Sequence, residues 1–330
     1  MAFFYLLIFP GFLFQSFFST LLEWFDRKLY ARLQNRRGPL YTGRSGMLQP
    51  IADIFKLMAK EDLTPARADR FMFTVVPLVA FAATLTAGMF IPMLPLGPYV
   101  AFKGDLIVVL YLLTLPSFML FLGGWFSESP FALIGATRVL TQVFAYEVPF
   151  FIALLTPAMV TGSWQISDIA TFPWWNGGAL SVALRGVAQG IGFLIGVVAL
   201  QAKLERVPFD IPEAETEVVA GPLTEYSGKK YAMWRFQKDL LMWVGAALLG
   251  VLFLPNVILG NKPGAGLIAA NILVICFKAT FVVALLSVMK ASFARIRLDQ
   301  IVNFSWKWLA PAALAQFLVA LVLKTLGAMS

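Results

Sequence analysis

The chain has 330 residues, of which 59% are hydrophobic and 13% are charged, with a formal net charge of +8. Soluble domains carry roughly 25% charged residues, so this composition excludes an ordinary soluble enzyme. A single cysteine, Cys276, and the absence of histidine exclude an internal disulfide, a zinc cage, a cysteine-held iron–sulfur cluster and haem ligation by histidine, so that any redox centre would have to lie on a partner.

Long apolar stretches dominate the chain. A bilayer core of about 30 Å needs about 20 apolar helical residues. Eight stretches meet this requirement and each predicts a transmembrane helix: 2–22, 71–93, 105–124, 141–161, 183–202, 240–259, 264–289 and 306–328. No small-residue cleavage site follows the first, which is therefore interpreted as an uncleaved span. The sequence predicts one all-α polytopic membrane domain over residues 1–330, with two longer polar segments, 23–70 and 203–239.

The distribution of basic residues orients the predicted spans. Of the 26 Lys and Arg residues, 21 lie in alternate segments between spans. These segments are 23–70, 125–140, 203–239 and 290–307. We therefore predict that they are cytoplasmic, that both termini lie outside, and that the chain resides in the cell (inner) membrane. An anionic inner leaflet explains the positive net charge, which requires no nucleic acid partner.

The first polar segment, 23–62, begins as a helix leaving the membrane, with Arg27 and Arg32 near its end. A turn containing Gly and Pro follows at 38–43. Apolar residues then recur at helical spacing over 47–58, with charged residues between them. This pattern predicts an amphipathic helix at the membrane interface. Taken alone, it favours simple anchoring to the membrane surface.

Two charged residues fall within predicted spans. Glu147 lies well inside the fourth span, and Lys278 lies near the middle of the seventh. A charge at this depth costs at least about 2.5–3.5 kcal/mol on insertion scales, so each is expected to have a partner or a water-filled path. A purely structural ion pair is the alternative.

The second long polar segment is rich in acids. Six lie within 21 residues: Glu205, Asp210, Glu213, Glu215, Glu217 and Glu225. A short helix after Pro212 would place Glu213 and Glu217 on one face and Glu215 on another. Interleaved apolar residues such as Phe209 indicate a segment folded against protein, where packed carboxylates raise one another's pKa. Clustered carboxylates at membrane depth are typical of a proton entry path; a solvated acidic loop is the alternative.

The last polar segment carries Arg295, Arg297 and Asp299. Arg295 and Asp299 are one helical turn apart. The arginines could serve as structural anchors. The alternative is that they are counter-charges to the acidic segment 203–239.

Five motifs occur in a fixed order over residues 21–300. They are LLEWFDRKLYARLQNRRGP, GMLQPIADIFKLMAKED, GATRVLTQVFAYEVP, RVPFDIPEAETEVVAGPLTEYSG and FARIRLDQ. Together they resemble the complex I subunit 1 family, the membrane subunit of NADH:quinone oxidoreductase and of its hydrogenase relatives. The fourth motif is highly specific to that family.

The resemblance implies a membrane subunit at the junction of the two arms of a redox-driven ion pump, with no catalytic centre of its own. The first span, the amphipathic helix and the loop 203–239 would shape a cavity towards the peripheral arm. Flavin and iron–sulfur clusters would lie on partner subunits, and quinone is the candidate small molecule. The implied partners are a peripheral iron–sulfur subunit, a catalytic large subunit, small and antiporter-like membrane subunits, and lipid.

The resemblance also suggests roles for individual residues. The predicted proton path and coupling residues are Glu147, Glu213, Glu215, Glu217 and Glu225, to which we add Asp210 and Lys278. The predicted cavity or arm contacts are Glu23, Arg27, Arg32, Arg36, Arg206, Phe209, Arg295, Arg297 and Asp299.

Two departures from the family pattern leave the electron acceptor open. Leu40-Tyr41-Thr42-Gly43 stands where Asn-Arg-Val-Gly is usual, and Pro222-Leu223-Thr224 also differs. The alternative is the equivalent subunit of a membrane-bound hydrogenase or a sulfur-reducing complex without quinone. A stand-alone secondary transporter is disfavoured because the sequence has no two related halves. A passive anchor would have no use for Glu147 or the glutamate cluster. Whether H⁺ or Na⁺ moves is left open.

Overall fold

The computed structural model describes residues 6–93, 101–174, 179–254 and 265–325, and the regular structure in these ranges is helical. Seven helices in this part of the chain are long and apolar enough to cross a membrane. They are Arg70–Met89, Asp105–Trp125, Pro130–Thr161, Val182–Lys203, Gly228–Phe253, Ile268–Ser292 and Leu298–Val322. The predicted all-α membrane fold is confirmed.

The first predicted span differs in position. The helix α1 (Phe12–Leu33) begins at Phe12 rather than at residue 2 and continues well beyond residue 22. It buries several polar side chains, including Gln15, Ser19 and Glu23, and is therefore less apolar than the seven helices above. Residues 2–5 of this predicted span lie outside the described residues, as do parts of 240–259, 264–289 and 306–328.

The remaining helices follow in chain order. They are α2 (Gln49–Ala59), α3 (Arg70–Met89), α4 (Asp105–Trp125), α5 (Pro130–Thr161), α6 (Ile166–Thr171), α7 (Ala179–Lys203), α8 (Glu215–Val218), α9 (Gly228–Phe253), α10 (Ala265–Ser292), α11 (Leu298–Phe304) and α12 (Ala310–Thr325). A π-helical turn, Ser305–Leu309, joins the last two.

Helix α9 forms the centre of the bundle. Its residues from Leu240 to Phe253 are all buried, as expected for a helix that is apolar on every side. Trp243 stacks on Phe18 of α1 with ring centroids 5.3 Å apart, and α2, α3, α7 and α10 also pack against α9. The charged first half of α9 is thereby held at one end of the bundle.

The predicted amphipathic helix is present as α2. Its Asp53 forms an ion pair with Arg27 of α1, with 2.7 Å between the guanidinium nitrogen and the carboxylate oxygen. Phe55 and Met58 are exposed. The polar side chain bonds to the bundle and the apolar ones point outward, which is the arrangement expected of a helix that lies on a membrane.

The loop between α7 and α9 touches α5 backbone to backbone. A Cβ on Gly221, which has φ +53°, would lie 1.9 Å from the carbonyl oxygen of Pro212. A Cβ on Gly135 of α5 would lie 2.6 Å from the Cα of Gly221. Because no side chain fits at either position, glycine sets how closely the loop approaches α5.

Two buried amides hold the same loop. The amide nitrogen of Gln142 on α5 donates to the carbonyls of Ala202 at 2.8 Å and Phe209 at 3.0 Å. The amide nitrogen of Gln201 donates to the carbonyl of Val207 at 2.6 Å. The start of the loop is therefore fixed both to the end of α7 and to α5, the helix that carries Glu147.

The predicted orientation can be tested with single cysteines. Ser163 follows α5 and Ser227 precedes α9, and the distribution of basic residues assigns them to opposite sides of the membrane. In a chain whose buried Cys276 is replaced by alanine, Ser163→Cys and Ser227→Cys should react with an impermeant thiol reagent from opposite faces. Labelling of both from one face would refute the predicted topology.

Candidate functional site

A charged cavity of about 370 Å³ lies where α1, α9, α10 and the loop after α7 meet. Its charged lining residues are Glu23, Asp26, Glu205, Asp210, Glu213, Asp239, Arg27, Arg206, Arg235, Lys238 and Lys290. Within the described ranges, no group of three potential metal ligands from His, Cys, Asp or Glu is close enough to hold a metal ion. The carboxylates of this cavity instead face basic side chains.

Glu23 is the carboxylate of this cavity that pairs with three arginines. Its side chain is 3% exposed, and it accepts from Arg27 at 2.8 Å, Arg235 at 3.1 Å and Arg206 at 3.4 Å. Arg27 lies one helical turn away on α1, whereas the other two arginines come from α9 and the loop. Bonds of this kind to charged groups are roughly twice as strong as neutral ones. Glu23 therefore joins three separate elements.

Asp26 lies about one turn beyond Glu23 on α1 and shares one of its partners, Arg206. It pairs with Arg206 at 3.1 Å and accepts from the hydroxyl of Ser287 at 2.6 Å. Lys290 lies 3.9 Å away. Because Ser287 and Lys290 belong to α10, these contacts tie α1 to α10 at the level of the cavity.

Lys238 of α9 bridges two carboxylates of the loop. Its ammonium donates to Glu205 at 2.8 Å and also to Glu213. Burial raises the pKa of Glu205 to about 7; Lys238 opposes this shift and the nearby Glu213 adds to it. Burial likewise raises the pKa of Asp210, although its ion pair with Arg295 opposes the shift. The loop therefore holds carboxyl groups that take up protons more readily than exposed ones.

Glu147 has a buried partner, as its depth predicted. The ammonium of Lys203, at the end of α7, lies 2.9 Å from each of the two carboxylate oxygens. The Lys203 side chain is 0% exposed and that of Glu147 is 11% exposed. Lys203 also lies over the rings of Tyr146 at 5.5 Å and Phe150 at 5.2 Å, where the aromatic faces favour a cation.

Tyr146 is a polar neighbour of this ion pair. It precedes Glu147 on α5, and its hydroxyl bonds to that of Ser117 at 3.2 Å. The charges of Glu147 and Glu205 both act on the Tyr146 hydroxyl. The buried pair and the cavity therefore share one polar neighbour.

The predicted placement of the loop glutamates was wrong. Helix α8 begins at Glu215 after an extended Ala214, so Glu213 precedes the helix and does not share a face with Glu217. Opposite charges on different helices separate them: Glu213 bonds to Lys238 in the cavity, whereas Glu217, 58% exposed, pairs with Arg138 of α5. The side chain of Glu215 lies outside the described residues, and Glu225 is half-buried but does not line the cavity.

Several other predicted site residues also lie elsewhere. Arg32 and Arg36 are exposed, and the Arg36 guanidinium lies 5.6 Å from the Tyr30 ring centre. The ammonium of Lys278 donates to the carbonyl of Leu254 at 2.8 Å, far along the chain from the cavity lining. The structure therefore does not bring these three cations into the cavity.

The C-terminal loop meets the acidic loop, as one of its two interpretations predicted. Arg295 pairs with Asp210, and Arg297 and Asp299 are exposed along a second cavity. Phe209 is 4% exposed and packs within an apolar cluster. It does not line the charged cavity.

Comparison with known proteins identifies the family. The NADH dehydrogenase family model matches residues 6–321. The H-subunit of NADH-quinone oxidoreductase from Anoxybacillus flavithermus is 36% identical, over 91% of this chain and 88% of the relative. Subunit 8 of that enzyme from Thermus thermophilus is 35% identical, over 95% and 84%. The corresponding H-subunit from Carboxydothermus hydrogenoformans is 34% identical, over 91% and 83%.

The chain belongs to the complex I subunit 1 family. The resemblance seen in the five motifs is confirmed, and with it the assignment as a multi-pass membrane protein. In this member of the family, sequence reasoning singled out Glu23, Arg27, Arg206, Asp210 and Glu213, which all line the charged cavity.

Other cavity residues of this subunit 1 family member were not selected from the sequence. They are Asp26, Arg235, Lys238, Asp239 and Lys290, while Glu205 was counted among the clustered acids but was given no individual role. A usable signal exists for three of them, because Arg235, Lys238 and Asp239 directly precede the apolar run that starts at Leu240. Charges that immediately precede a buried apolar run must be buried or paired nearby.

The Glu147–Lys203 pair predicts a stability test. Glu147→Leu leaves the Lys203 ammonium buried without its carboxylate, and losing one partner of a buried pair costs about 3–5 kcal/mol. We expect Glu147→Leu to lower the unfolding temperature of the purified chain in detergent. The double variant Glu147→Leu/Lys203→Leu should regain most of the lost stability. Glu217→Leu, at an exposed pair, should cost at most about 1 kcal/mol. A double variant no more stable than the single one would contradict the pairing.

Glu205 should titrate near neutral pH. Because its folded pKa of about 7 exceeds the unfolded value, its stabilising contribution is full below the unfolded pKa of about 4.3 and is lost as pH rises through the folded pKa. Infrared difference spectra between about pH 5 and about pH 9 should show a carboxyl band that disappears near the folded pKa. The band should be missing in Glu205→Gln and retained in Glu61→Gln, where the glutamate is exposed. A band that persists in Glu205→Gln would contradict this assignment.

Proposed function

We propose that this chain is the membrane junction subunit of a complex I-like, redox-driven ion pump. The charged cavity would respond to electron transfer in a peripheral arm, and the Glu147–Lys203 pair would begin the ion path into the membrane. The relatives are subunits of NADH-quinone oxidoreductase. The observation that carries the proposal is Lys238, one cation shared by Glu205 and Glu213.

The shared cation makes the cavity sensitive to nearby charge. Because Lys238 supplies one positive charge to two carboxylates, the charge on Glu213 acts on the pKa of Glu205. Each unit of pKa shift corresponds to about 1.4 kcal/mol. A negative charge arriving on an acceptor near the cavity would favour proton uptake, and its departure would favour release.

The next step leads from the cavity towards the buried pair. Glu205 is two residues from Lys203, and both Glu205 and Glu147 act on Tyr146. A proton delivered to Glu147 would weaken its attraction for Lys203, since the pair is held mainly by opposite charge at 2.9 Å. A charge change in the cavity could thus be converted into breaking of the buried ion pair.

The acceptor in this proposal is a quinone that reaches the cavity from the membrane, between α1, α2 and the loop after α7. Partner subunits would supply the iron–sulfur clusters, and the cavity would face the cytoplasm in the cell (inner) membrane. The exposed Tyr41 lies in the segment that departs from the family pattern. Because of this departure, a hydrogenase-type or sulfur-reducing complex is the second candidate. Co-purification separates them, because a nickel-binding large subunit would identify the hydrogenase type.

The glutamates of the loop provide the functional test. The sequence alone predicts similar effects for Glu213→Gln and Glu217→Gln, but Glu213 lines the cavity and Glu217 lies outside it. In the assembled complex, Glu213→Gln should lower the number of ions moved per electron, while the peripheral arm still reduces artificial dyes. Glu217→Gln is the matched control and should retain pumping.

Glu147→Gln should show the same phenotype as Glu213→Gln, with normal assembly, because the amide keeps a hydrogen-bond acceptor for Lys203 but cannot carry a proton. Ion movement into vesicles, measured together with electron transfer, checks both variants. Wild-type coupling in both, or loss of activity only through release of the peripheral arm, would contradict the proposal.

A further inference from the structure

An apolar cavity of about 410 Å³ lies beside the charged loops but is separate from the charged cavity. The buried Phe209 lies at its base, Val198 of α7 and Met289 of α10 form its sides, and the exposed Phe293 and Phe304 lie at its rim. Its size falls within the range of about 300–1,000 Å³ that is usual for small-molecule sites.

A polar cavity of about 430 Å³ adjoins it. The two share Ile296, whose backbone N–H donates to the carbonyl of Pro208 at 3.2 Å. The polar cavity is lined by three arginines, Arg138, Arg295 and Arg297, and by two acids, Glu217 and Asp299. Arg138 is paired with Glu217 and Arg295 with Asp210, whereas Arg297 is exposed. An apolar and a charged compartment thus meet along one ordered stretch of backbone.

The position along the helices matches a membrane surface. The apolar cavity lies against the last residues of α7 and α10, and the polar one lies beyond them among the loops. Trp306 and Trp308, in the π-helical turn that follows, are 52% and 72% exposed. Tryptophan is enriched where membrane meets water, so the boundary between the two cavities falls near the level of lipid headgroups.

Arg297 is the group of the polar cavity that favours an anion, because Arg138 and Arg295 are each paired with a carboxylate. Residues 290–307 contain four basic residues and one acidic residue, Asp299. Arg297 presents a planar guanidinium, which binds phosphate through two parallel hydrogen bonds. Asp299 and Glu217 line the same cavity and oppose an anion there, although the charge of Glu217 is matched by its ion pair with Arg138.

We infer that the two cavities together bind one anionic phospholipid. An acyl chain occupies the apolar cavity, and the phosphate lies against Arg297. The lipid would brace the C-terminal loop, whose Arg295 holds Asp210 beside the charged cavity. This site does not depend on the proposed function, because neither Arg297 nor the apolar cavity takes part in the ion path.

Lipid retention tests the inference. The assembled complex in nanodiscs of phosphatidylcholine with a minority of phosphatidylglycerol is extracted in mild detergent, and the retained lipids are counted by native mass spectrometry. Wild type should retain one phosphatidylglycerol that Arg297→Gln holds about fivefold more weakly, the factor expected for one basic residue at an anionic surface. Asp299→Asn should strengthen retention, and Ala294→Trp, which fills the apolar cavity, should abolish it.

Lys307→Gln is the matched control, because it removes one positive charge from the same segment but lines neither cavity. An equal loss in Lys307→Gln would indicate general surface attraction and overturn the inference. Unchanged retention in Arg297→Gln would overturn it as well. A photoreactive residue at position 304 should cross-link to lipid. Cross-linking to a partner polypeptide or a quinone instead would also overturn the inference.

Discussion

Glu23 receives three arginines from three parts of the chain, and the geometry of the charged cavity depends on that convergence. A carboxylate with a 3% exposed side chain would cost several kcal/mol without compensating partners. Arg27, Arg206 and Arg235 each satisfy it from a different element. The helix α1, the loop after α7 and the helix α9 can therefore pack in few other ways without leaving a buried charge unpaired.

The loop after α7 transmits this constraint to the membrane interior. At one side it contributes Arg206, Glu205 and Glu213 to the cavity. At its base, Gln142 holds it to α5 through the carbonyls of Ala202 and Phe209. Lys203 and Glu147 belong to the two helices that Gln142 joins, so the base of the loop and the buried pair lie on the same two helices.

Sequence reasoning predicted the features that obey local rules. The spans follow from apolar length, α2 follows from helical spacing, and Glu147 was expected to have a partner because a charge at that depth is costly. Its partner was missed because a lysine at the end of a span is ordinarily explained by a side chain that extends to the interface. Glu213 and Glu217 were placed together because sequence spacing cannot show that Lys238 and Arg138 attract them in different directions.

The contacts of Glu23 also have a consequence in time. Its partner Arg235 follows 212 residues later in the chain, and at about 5–20 residues per second a ribosome needs roughly ten to forty seconds to make that length. Only Arg27, one turn away, is present from the start. During synthesis, the acids of α1 therefore lack some of their basic partners until α9 has been made. In that interval they are exposed to the insertion machinery and to lipid headgroups. Slower translation would lengthen that interval.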